Sequence, residues 1–249
     1  MKNKVSRLQS IGSDLVSNPN FSNTNGKAAL ICINNYVGTR LDLGNGPLND
    51  GYYIAKTVKE FGYDIYYMIN PRKSTFLNFL GRFLESIEKQ LVVFYVGHGT
   101  RTADISGDET DGFDEAMVFV DGNLVDDTLV ETLENFKNRS SRVILITDAC
   151  HSGSIWDIQG ASIKGRRIPP NIMSISAAND SQTAKQTFLE KEDQGIFSYN
   201  FRKTVKSSSN ISANELKKQM TTQLRKFGQT VTLAESFPGM TSEPIFSQF

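Results

Sequence analysis

Two short segments carry the side chains best suited to nucleophilic chemistry. Leu91–Thr100 reads LVVFYVGHGT and places His98 just after an apolar, β-branched run, and Val143–Ser154 reads VILITDACHSGS and places Cys150 in the same way. The 249 residues include only two histidines and two cysteines. A thiol attacks a carbonyl as its thiolate, and an imidazole can accept the proton. The two segments therefore predict a Cys–His pair in a cysteine hydrolase.

Small residues follow each apolar run, so little side-chain bulk lies beside the reactive groups. The backbone N–H groups of Gly99 and of Cys150 itself are therefore candidates to bind the oxyanion that forms during acyl transfer. The alternative is structural, with Cys150 a small buried hydrophobe and His98 a hydrogen-bonded core residue. Each residue lies in a glycine-containing exit from a strand, which favours the functional interpretation, because a core residue gains nothing from nearby glycine.

The hydrophobic pattern predicts an α/β fold that would bring these two residues together. Apolar runs that alternate with amphipathic helices indicate parallel strands buried on both faces. The predicted strands are Ala28–Asn34, Tyr63–Ile69, Leu91–Val96, Arg142–Thr147 and Asn171–Ser176, with a hairpin of Met117–Val120 and Asn123–Val125 and a closing strand at Pro244–Ser247. Helices are predicted at Asn49–Phe61, from Ser74 onward, and at Asp126–Lys137, Gly195–Val205 and Ser212–Phe227. Ligands bind beyond the carboxyl ends of such strands, where His98 and Cys150 both lie.

Composition argues against several other classes of protein. Lys plus Arg equals Asp plus Glu at 27 each, so overall charge favours neither nucleic acid nor an anionic membrane. No apolar run approaches the roughly 20 residues that span a bilayer. No Cys/His set could bind zinc, and no GxGxxG follows the first strand to bind a nucleotide. Two cysteines make no disulfide framework, and the N-terminus lacks the apolar core of a secretory signal, so we expect a cytoplasmic or nuclear protein.

The chain shows no internal repeat and no credible linker. Residues 1–26 are rich in Ser and Asn and weakly patterned, which predicts a flexible N-terminal arm. Residues 27–249 carry the alternating elements and are predicted to form one domain.

The motifs YVGHG and DACHSGS, with an aspartate two residues before the cysteine, resemble the caspase-like cysteine peptidases and, within them, the metacaspases. A histidine about 50 residues before the cysteine is a known caspase feature. The blocks ALICINNYVG, GPLNDGYYIAKTV, GDETDGFDEAMVFVDG, LVDDTLVETL and SISAANDSQTA extend the resemblance over most of the chain. It implies a caspase-like fold, with a mainly parallel, roughly six-stranded sheet between two layers of helices.

The resemblance also implies roles for individual residues. His98 would be the general base and Cys150 the nucleophile, while Asp50 and Asp148 would line the S1 pocket that holds the side chain before the scissile bond. Two carboxylates in a partly desolvated pocket can bind a guanidinium through paired, charge-assisted hydrogen bonds, and they repel an acidic side chain. The implied activity is cleavage of protein substrates after Arg or Lys. His151, beside the nucleophile, points elsewhere and is left out of the pair.

The resemblance further implies an activating calcium ion. Asp126, Asp127 and Asp157 match a metacaspase calcium site, and Asp111 in the acidic loop would be a fourth ligand. Carboxylate oxygens on a flexible loop suit Ca²⁺, which takes about 6–8 oxygen ligands. The alternative is that Asp126 and Asp127 only cap the following helix.

A basic loop between two predicted strands could be a site of self-processing. Lys164, Arg166 and Arg167 lie in the sequence SIKGRRIPPN, flanked by Gly and Pro. A peptidase specific for basic residues could cleave an exposed loop of this kind. The alternative is an ordinary solvated basic loop.

Two other functions stay open. The chain departs from many metacaspases at Val96, Pro47 and Lys185, so a catalytically weak scaffold that binds partners is one alternative. A legumain-like peptidase that cleaves after Asn shares the fold and the dyad but needs no acidic pocket. By resemblance alone, we expect a monomer.

Overall fold

A computed structural model describes residues 2–21, 26–104, 112–135, 141–158, 166–178 and 184–246. Within these ranges, no helix is both long and apolar enough to cross a bilayer. Asp111 and Lys164 lie outside the described residues.

A seven-stranded sheet forms the centre of the molecule. Its strands, in spatial order, are β1 (Ser13–Asp14), β3 (Asp64–Ile69), β2 (Lys27–Ile33), β4 (Gln90–Val96), β8 (Arg142–Asp148), β9 (Ile172–Ser176) and β12 (Thr232–Glu235). All neighbours are parallel except β12, which runs antiparallel to β9. The prediction of a mainly parallel sheet is confirmed, with one very short strand more than expected.

Helices cover both faces of this sheet. They are α1 (Lys2–Gln9), α2 (Gly46–Glu60), α3 (Lys73–Ser86), α4 (Asp126–Glu134), α5 (Ile196–Ser207) and α6 (Ala213–Arg225). Alternate residues of β2 pack into different helix layers, because successive side chains of a strand point to opposite faces of the sheet. Ala29 and Ile31 join a core with α2, α5 and α6, whereas Ala28 and Leu30 join a second core with α3 and α4.

Two smaller sheets lie beside the main one. One contains β5 (Gly99–Ala103), β6 (Phe113–Phe119) and β7 (Gly122–Val125), and it includes the hairpin expected at Asp121-Gly122. The other is a hairpin of β10 (Gln186–Leu189) and β11 (Glu192–Gly195). The sequence analysis missed β5 and this second hairpin, because their residues are mostly polar and show no buried run.

The N-terminal arm differs from the expectation. Residues 2–9 form α1, and Ser13–Asp14 pair with Tyr66 and Tyr67 of β3. Leu8 and Leu15 are buried in the two cores. The expectation of a flexible arm is therefore wrong for residues 2–21, because two leucines in a polar segment suffice to anchor it.

The closing strand is also elsewhere than expected. Pro244 makes only an isolated bridge to Ser212, and the last strand of the sheet is β12. Proline donates no hydrogen bond to a ladder, which disfavours a strand at Pro244–Ser247.

Candidate active site

The register between β4 and β8 places the predicted nucleophile and base at the same edge of the sheet. Val96 is paired with Asp148, so His98 and Cys150 each lie two residues beyond the last pair. Gly99 is in close contact with Cys150, since a Cβ built on Gly99 would lie 1.9 Å from the Cys150 carbonyl oxygen. Only glycine permits this approach. The two strand ends therefore meet, as predicted.

The imidazole of His98 is oriented by a backbone carbonyl. Its Nε2 lies 2.9 Å from the carbonyl oxygen of Leu41. A carbonyl oxygen can only accept, so this contact assigns the proton to Nε2 and leaves Nδ1 of the neutral ring as the acceptor. Nδ1 is thus the atom that can take a proton from a thiol.

Two tyrosines hold the backbone of His98. The N–H of His98 donates to the Tyr36 hydroxyl at 2.9 Å, and that hydroxyl donates to the carbonyl of Val118 at 2.7 Å. The hydroxyl of Tyr95 lies 2.8 Å from the carbonyl oxygens of both His98 and Val118. The Tyr36 ring also packs against the imidazole, with ring centroids 5.0 Å apart. His98 is therefore fixed at both its main chain and its ring.

Tyr36 reaches this position through an unusual backbone conformation. Its φ of 54° lies in the left-handed region, which side-chain-bearing residues rarely adopt. Asn70 stabilises the turn, because its Oδ1 accepts the N–H groups of both Asn35 and Tyr36 at 3.0 Å. Strain of this kind persists where surrounding contacts over-determine it, often beside a functional site.

Cys150 is partly buried, and its thiol is not strongly acidic. Burial raises the pKa of the thiol, and the charge of Asp148 adds to that effect. The backbone N–H of Ala184 and the positive charge of Lys185 lower the pKa of the thiol and partly offset the increase. The resting group is therefore a thiol, and it needs a base such as His98 for attack.

The N–H of Gly99, the predicted oxyanion donor, is not used in pairing with β6. The carbonyl of His98 accepts from Val118 of β6, so the next pair, Gly99 with Met117, is not hydrogen-bonded. The N–H of Gly99 therefore points away from β6.

His98 and Cys150 line one cavity of about 310 Å³. The full lining comprises Leu43, Asp50, Val96, Gly97, His98, Asp148, Cys150, Ala184, Lys185, Gln186 and Gly195. Val96 and Lys185, two departures from the metacaspase pattern, are both present, whereas Pro47 and His151 are not part of the lining. The cavity therefore combines a thiol, an imidazole and two carboxylates.

Asp50 and Asp148 are buried at this cavity, and both lie against Gly195. Both carboxylate oxygens of Asp50 accept the Gly195 N–H, at 3.0 and 2.9 Å. Asp148 Oδ2 accepts the hydroxyl of Ser198 at 2.6 Å and its N–H at 3.2 Å. A Cβ on Gly195 would lie 2.5 Å from Asp148 Oδ2 and 3.0 Å from Asp50 Oδ2. Only glycine leaves room for both acids.

The two carboxylates disfavour each other's ionisation. Burial raises the pKa of Asp50 well above its ordinary value, and the charge of Asp148 raises it further. Burial also raises the pKa of Asp148 to about 6, although the hydrogen bonds from Ser198 act in the opposite direction. A cation entering the cavity would remove this repulsion and favour both charges.

A family model described as Caspase domain matches residues 25–248. The chain belongs to the caspase-domain family. Among its curated relatives, Metacaspase-1 of Cryptococcus neoformans var. neoformans serotype D is 30% identical over 196 residues, which cover 71% of this chain and 42% of that protein. Metacaspase-1A of Neurospora crassa is 34% identical over 173 residues, which cover 61% of this chain and 38% of that protein. Metacaspase-1B of Aspergillus clavatus is 26% identical over 308 residues, covering 92% and 75%. The chain thus spans less than half of the first two relatives.

Solved structures agree on the fold. Protein GSU0716 from Geobacter sulfurreducens has a TM-score of 0.71 and 20% identity, covering 89% of this chain and 98% of that chain. Caspase-1 from Spodoptera frugiperda has a TM-score of 0.61 and 11% identity, covering 88% and 90%. The predicted caspase fold and the predicted resemblance to metacaspases are confirmed.

The candidate calcium ligands of this caspase domain do not form a ready metal site. Among the described residues, no group of three or more His, Cys, Asp or Glu side chains could hold an ion. The Asp126 carboxylate accepts the N–H groups of Asp127 and Glu115, at 2.9 and 3.2 Å. Burial raises its pKa to about 8, and the charges of Glu115 and Asp114 contribute.

The other two described ligand candidates make different contacts. Asp127 forms an ion pair with Arg166 at 3.2 Å. Asp157 has a left-handed φ of 33° and borders a separate cavity of about 190 Å³ with Ser154 and Ser174. Among the described residues, these candidates are not gathered around one point, so they could bind a calcium ion only after rearrangement.

The basic segment proposed for self-processing is tied to α4. The Arg166 guanidinium contacts Glu134 at 2.8 Å as well as Asp127, and the backbone N–H of Arg167 donates to Glu134. These contacts restrain the segment after Arg166.

Sequence reasoning missed several residues of the site. Leu41 contributes a main-chain carbonyl, and the role of a carbonyl cannot be predicted from the residue type. Gly195 and Ser198 lie in a region whose sequence predicts only the start of a helix. The signal available was the sequence DQGIFS, where a glycine precedes a helix and a serine occupies its first turn.

Proposed function

We propose that this caspase domain is an endopeptidase that hydrolyses peptide bonds after arginine or lysine. The observation that supports the proposal most is that Asp50 and Asp148 border the cavity that His98 and Cys150 line. A guanidinium matches paired carboxylates in charge and hydrogen-bond geometry. A neutral side chain would leave two mutually repelling acids in a buried site, and an acidic one would add a third.

Acylation requires only groups described above. Nδ1 of His98 accepts the thiol proton of Cys150 while the sulfur attacks the scissile carbonyl carbon, and the carbonyl electron pair moves to oxygen. The N–H groups of Gly99 and Cys150 stabilise that oxyanion. As it collapses, the C–N bond breaks and the amine leaves with the proton from His98. The acyl group remains on sulfur as a thioester.

Deacylation reverses the roles of the same groups. Nδ1 of His98 removes a proton from water as the water oxygen attacks the thioester carbonyl. The C–S bond then breaks, and sulfur regains its proton from His98. Because the thiol of Cys150 is protonated at rest, attack requires transfer of its proton to His98.

Fluorogenic peptides that end in Arg, Lys, norleucine, Asn or Asp test this proposal. We expect turnover of the Arg and Lys peptides, and its complete loss in Cys150→Ala. The matched control is Cys32→Ala, since Cys32 is buried in β2 and burial raises its pKa well above the ordinary value. That variant should retain turnover. Asp148→Asn should lower kcat/KM for Arg at least about a hundredfold and leave the norleucine peptide almost unchanged.

The same assay distinguishes the other two functions. Lys185 lines the cavity, and its positive charge favours a weaker preference for basic side chains. If no peptide is turned over, a binding scaffold is favoured. A preference for Asn would favour a legumain-like peptidase. If Asp148→Asn lowers kcat/KM equally for the Arg and norleucine peptides, Asp148 does not recognise the substrate side chain.

Calcium activation is a second part of the proposal, supported by the buried Asp126 and its acidic neighbours. Because Asp127 contacts Arg166, an ion could use this carboxylate only after that pair opens. No catalytic step is assigned to calcium. Turnover measured with calcium and with chelator tests it, together with calcium titration of Cys150→Ala by calorimetry. Equal turnover in both conditions and no binding heat would exclude calcium.

Self-cleavage after Lys164, Arg166 or Arg167 is a third part. The contacts of Arg166 with Glu134 and Asp127 restrain the chain, so cleavage there should be slow. N-terminal sequencing of wild type and Cys150→Ala after incubation with calcium tests it. Fragments that begin after one of these residues in wild type alone would support it, and an intact wild-type chain would exclude it.

A further inference from the structure

Both acids of the substrate cavity contact the first turn of α5. Gly195 is the N-cap of this helix and Ser198 occupies its third helical position. Asp50 accepts the N–H of Gly195, and Asp148 accepts both the N–H and the hydroxyl of Ser198. The free N–H groups at a helix start carry partial positive charge, which offsets part of the repulsion between two carboxylates.

The hydroxyl of Ser198 is not a generic helix cap. It donates to Asp148 across the cavity wall at 2.6 Å, and the side chain is almost completely buried. The capping role normally played by an N-cap side chain falls to Asp148, because the N-cap is Gly195. Serine at this position therefore contacts a substrate-binding group rather than the helix backbone.

We propose that Ser198 is a positioning residue for substrate selection, which holds Asp148 Oδ2 and leaves Oδ1 of the same carboxylate to bind a basic substrate side chain. This inference rests on the proposed function. Two donors on one oxygen fix the plane of the carboxylate before substrate arrives, so less reorganisation is needed on binding. They also favour the ionised acid that a guanidinium requires.

The ionisable groups around Asp148 come from several elements. They are Asp50 of α2, His98 and Cys150 at the strand ends, Lys185 before β10, and Arg202 of α5, whose charge acts on Asp50. Among the described residues, only Ser198 donates hydrogen bonds to the Asp148 carboxylate. Its removal should therefore change the titration of Asp148 more than that of its neighbours.

The test compares wild type, Ser198→Ala and Ser198→Thr, with Ser212→Ala as matched control. Ser212 caps α6 through a capping box with Glu215 and does not line the cavity. For each variant, kcat/KM is measured from about pH 5 to about pH 9 on Arg and norleucine peptides. Thermal unfolding of every variant establishes that it is folded.

We expect Ser198→Ala to move the acidic limb of the Arg profile upward by about one pH unit, the size of one lost hydrogen bond to a charged group. At the pH of the wild-type limb, kcat/KM for Arg should fall about tenfold. The norleucine profile should not move. Ser198→Thr, which keeps the hydroxyl, should restore the Arg profile. Ser212→Ala should lower the melting temperature without moving either profile.

Three outcomes would overturn the inference, and only the first also overturns the proposed function. If wild type shows no preference for Arg over norleucine, both the proposed function and this inference fail. If wild type prefers Arg but folded Ser198→Ala keeps the wild-type pH profile, or shifts both peptides equally, the inference fails alone. A shift in the Arg profile that Ser198→Thr does not reverse, in a folded variant, would also contradict it.

Discussion

At the level of single residues, the imidazole of His98 is fixed by groups that do no chemistry themselves. The carbonyl of Leu41 sets its tautomer, and the hydroxyl of Tyr36 links its N–H to the carbonyl of Val118. The base is therefore oriented before substrate arrives, which lowers the reorganisation needed in the transition state.

Tyr36→Phe should lower kcat for an Arg peptide about tenfold and leave KM nearly constant. The variant removes the acceptor of the His98 N–H while retaining the ring that packs against the imidazole. Tyr67→Phe is the control, because the buried Tyr67 hydroxyl has no hydrogen-bond partner among the described residues. Steady-state kinetics decide the matter, and an unchanged kcat in Tyr36→Phe would show that the hydroxyl is dispensable.

Gly99→Ala should reduce turnover by about a hundredfold or more, the scale of one lost oxyanion donor, because it displaces the N–H of residue 99 from Cys150. The new Cβ would lie 1.9 Å from the Cys150 carbonyl, so the two strand ends must separate. Gly81→Ala is the matched control, since nothing lies within 4 Å of a Cβ there and the position is inside α3. It should keep full activity and gain about 0.5–1 kcal/mol in unfolding free energy. Comparable turnover in both variants would contradict the predicted role of Gly99.

Side-chain chemistry at this scale could be predicted from the sequence. A rare residue type after a buried strand identified His98 and Cys150, and the rule for carboxyl ends of parallel strands placed them together. The carbonyl of Leu41 could not be predicted, because every residue has a carbonyl and only the fold selects one. The roles of the Tyr36 and Tyr95 hydroxyls could not be predicted either, because both residues occur in segments whose pattern predicts only a buried strand and a loop.

At the level of elements, the β10–β11 hairpin forms one wall of the cavity and is held from behind by α1. Glu192 of β11 forms ion pairs with Arg7 at 2.9 Å and Lys4 at 3.6 Å, and it accepts the hydroxyl of Tyr53. Asn49 of α2 donates to the carbonyl of Asp193 at 2.7 Å. These contacts join the N-terminal helix to the wall that carries Gln186 and Gly195.

Glu192→Gln should raise KM for an Arg peptide about two- to fivefold with kcat preserved, because partly exposed ion pairs contribute about 0–1 kcal/mol each. Glu60→Gln is the control, since Glu60 pairs with Lys206 away from the cavity. Kinetics on both variants test the coupling. A KM that rises equally in the two variants would point to a general charge effect.

Long elements with buried runs could be predicted, and short polar ones could not. The strand β4 is buried at every residue, so its sequence reads as a continuous apolar run. By contrast, β12 reads TLAE and is only partly buried, and β11 reads EDQG. These strands form because tertiary contacts override local preference.

At the level of the whole molecule, the N-terminal segment is part of the folded domain. Leu8 lies in the core with α2, and Leu15 lies in the opposite core. Both sheet faces thus use residues from the first 21 positions, which composition alone does not reveal.

Leu8→Ala should lower the free energy of unfolding by about 2–5 kcal/mol, the cost of truncating a fully buried leucine. Val16→Ala is the matched control, because that side chain is 53% exposed and its loss should cost less than about 0.5 kcal/mol. Urea unfolding measures both. Equal, small effects would indicate that the segment does not contribute to the core.

The buried acid pair predicts an unusual dependence of stability on pH. A folded-state pKa of about 6 for Asp148, above its ordinary 3.8, means that the native state binds a proton more tightly than the unfolded chain. This contribution is complete below the ordinary pKa and is lost as pH rises through about 6, with a slope of at most about 1.4 kcal/mol per pH unit. Asp148→Asn should flatten that slope in urea unfolding between about pH 4 and about pH 6. An unaltered slope would assign it to another group.

The two outer strands of the sheet determine how it presents unpaired main-chain groups to neighbouring molecules. On one side, β1 pairs through only Ser13 and Asp14, and the Asp14 carboxylate accepts the N–H of Val16 at 3.0 Å. On the other, β12 is four residues long, and the carboxylate of Glu235 holds the N–H groups of Gly239 and Thr241. Short, charged borders offer few free amides to an incoming chain, so they protect against edge-to-edge aggregation while the long apolar strands stay sealed inside.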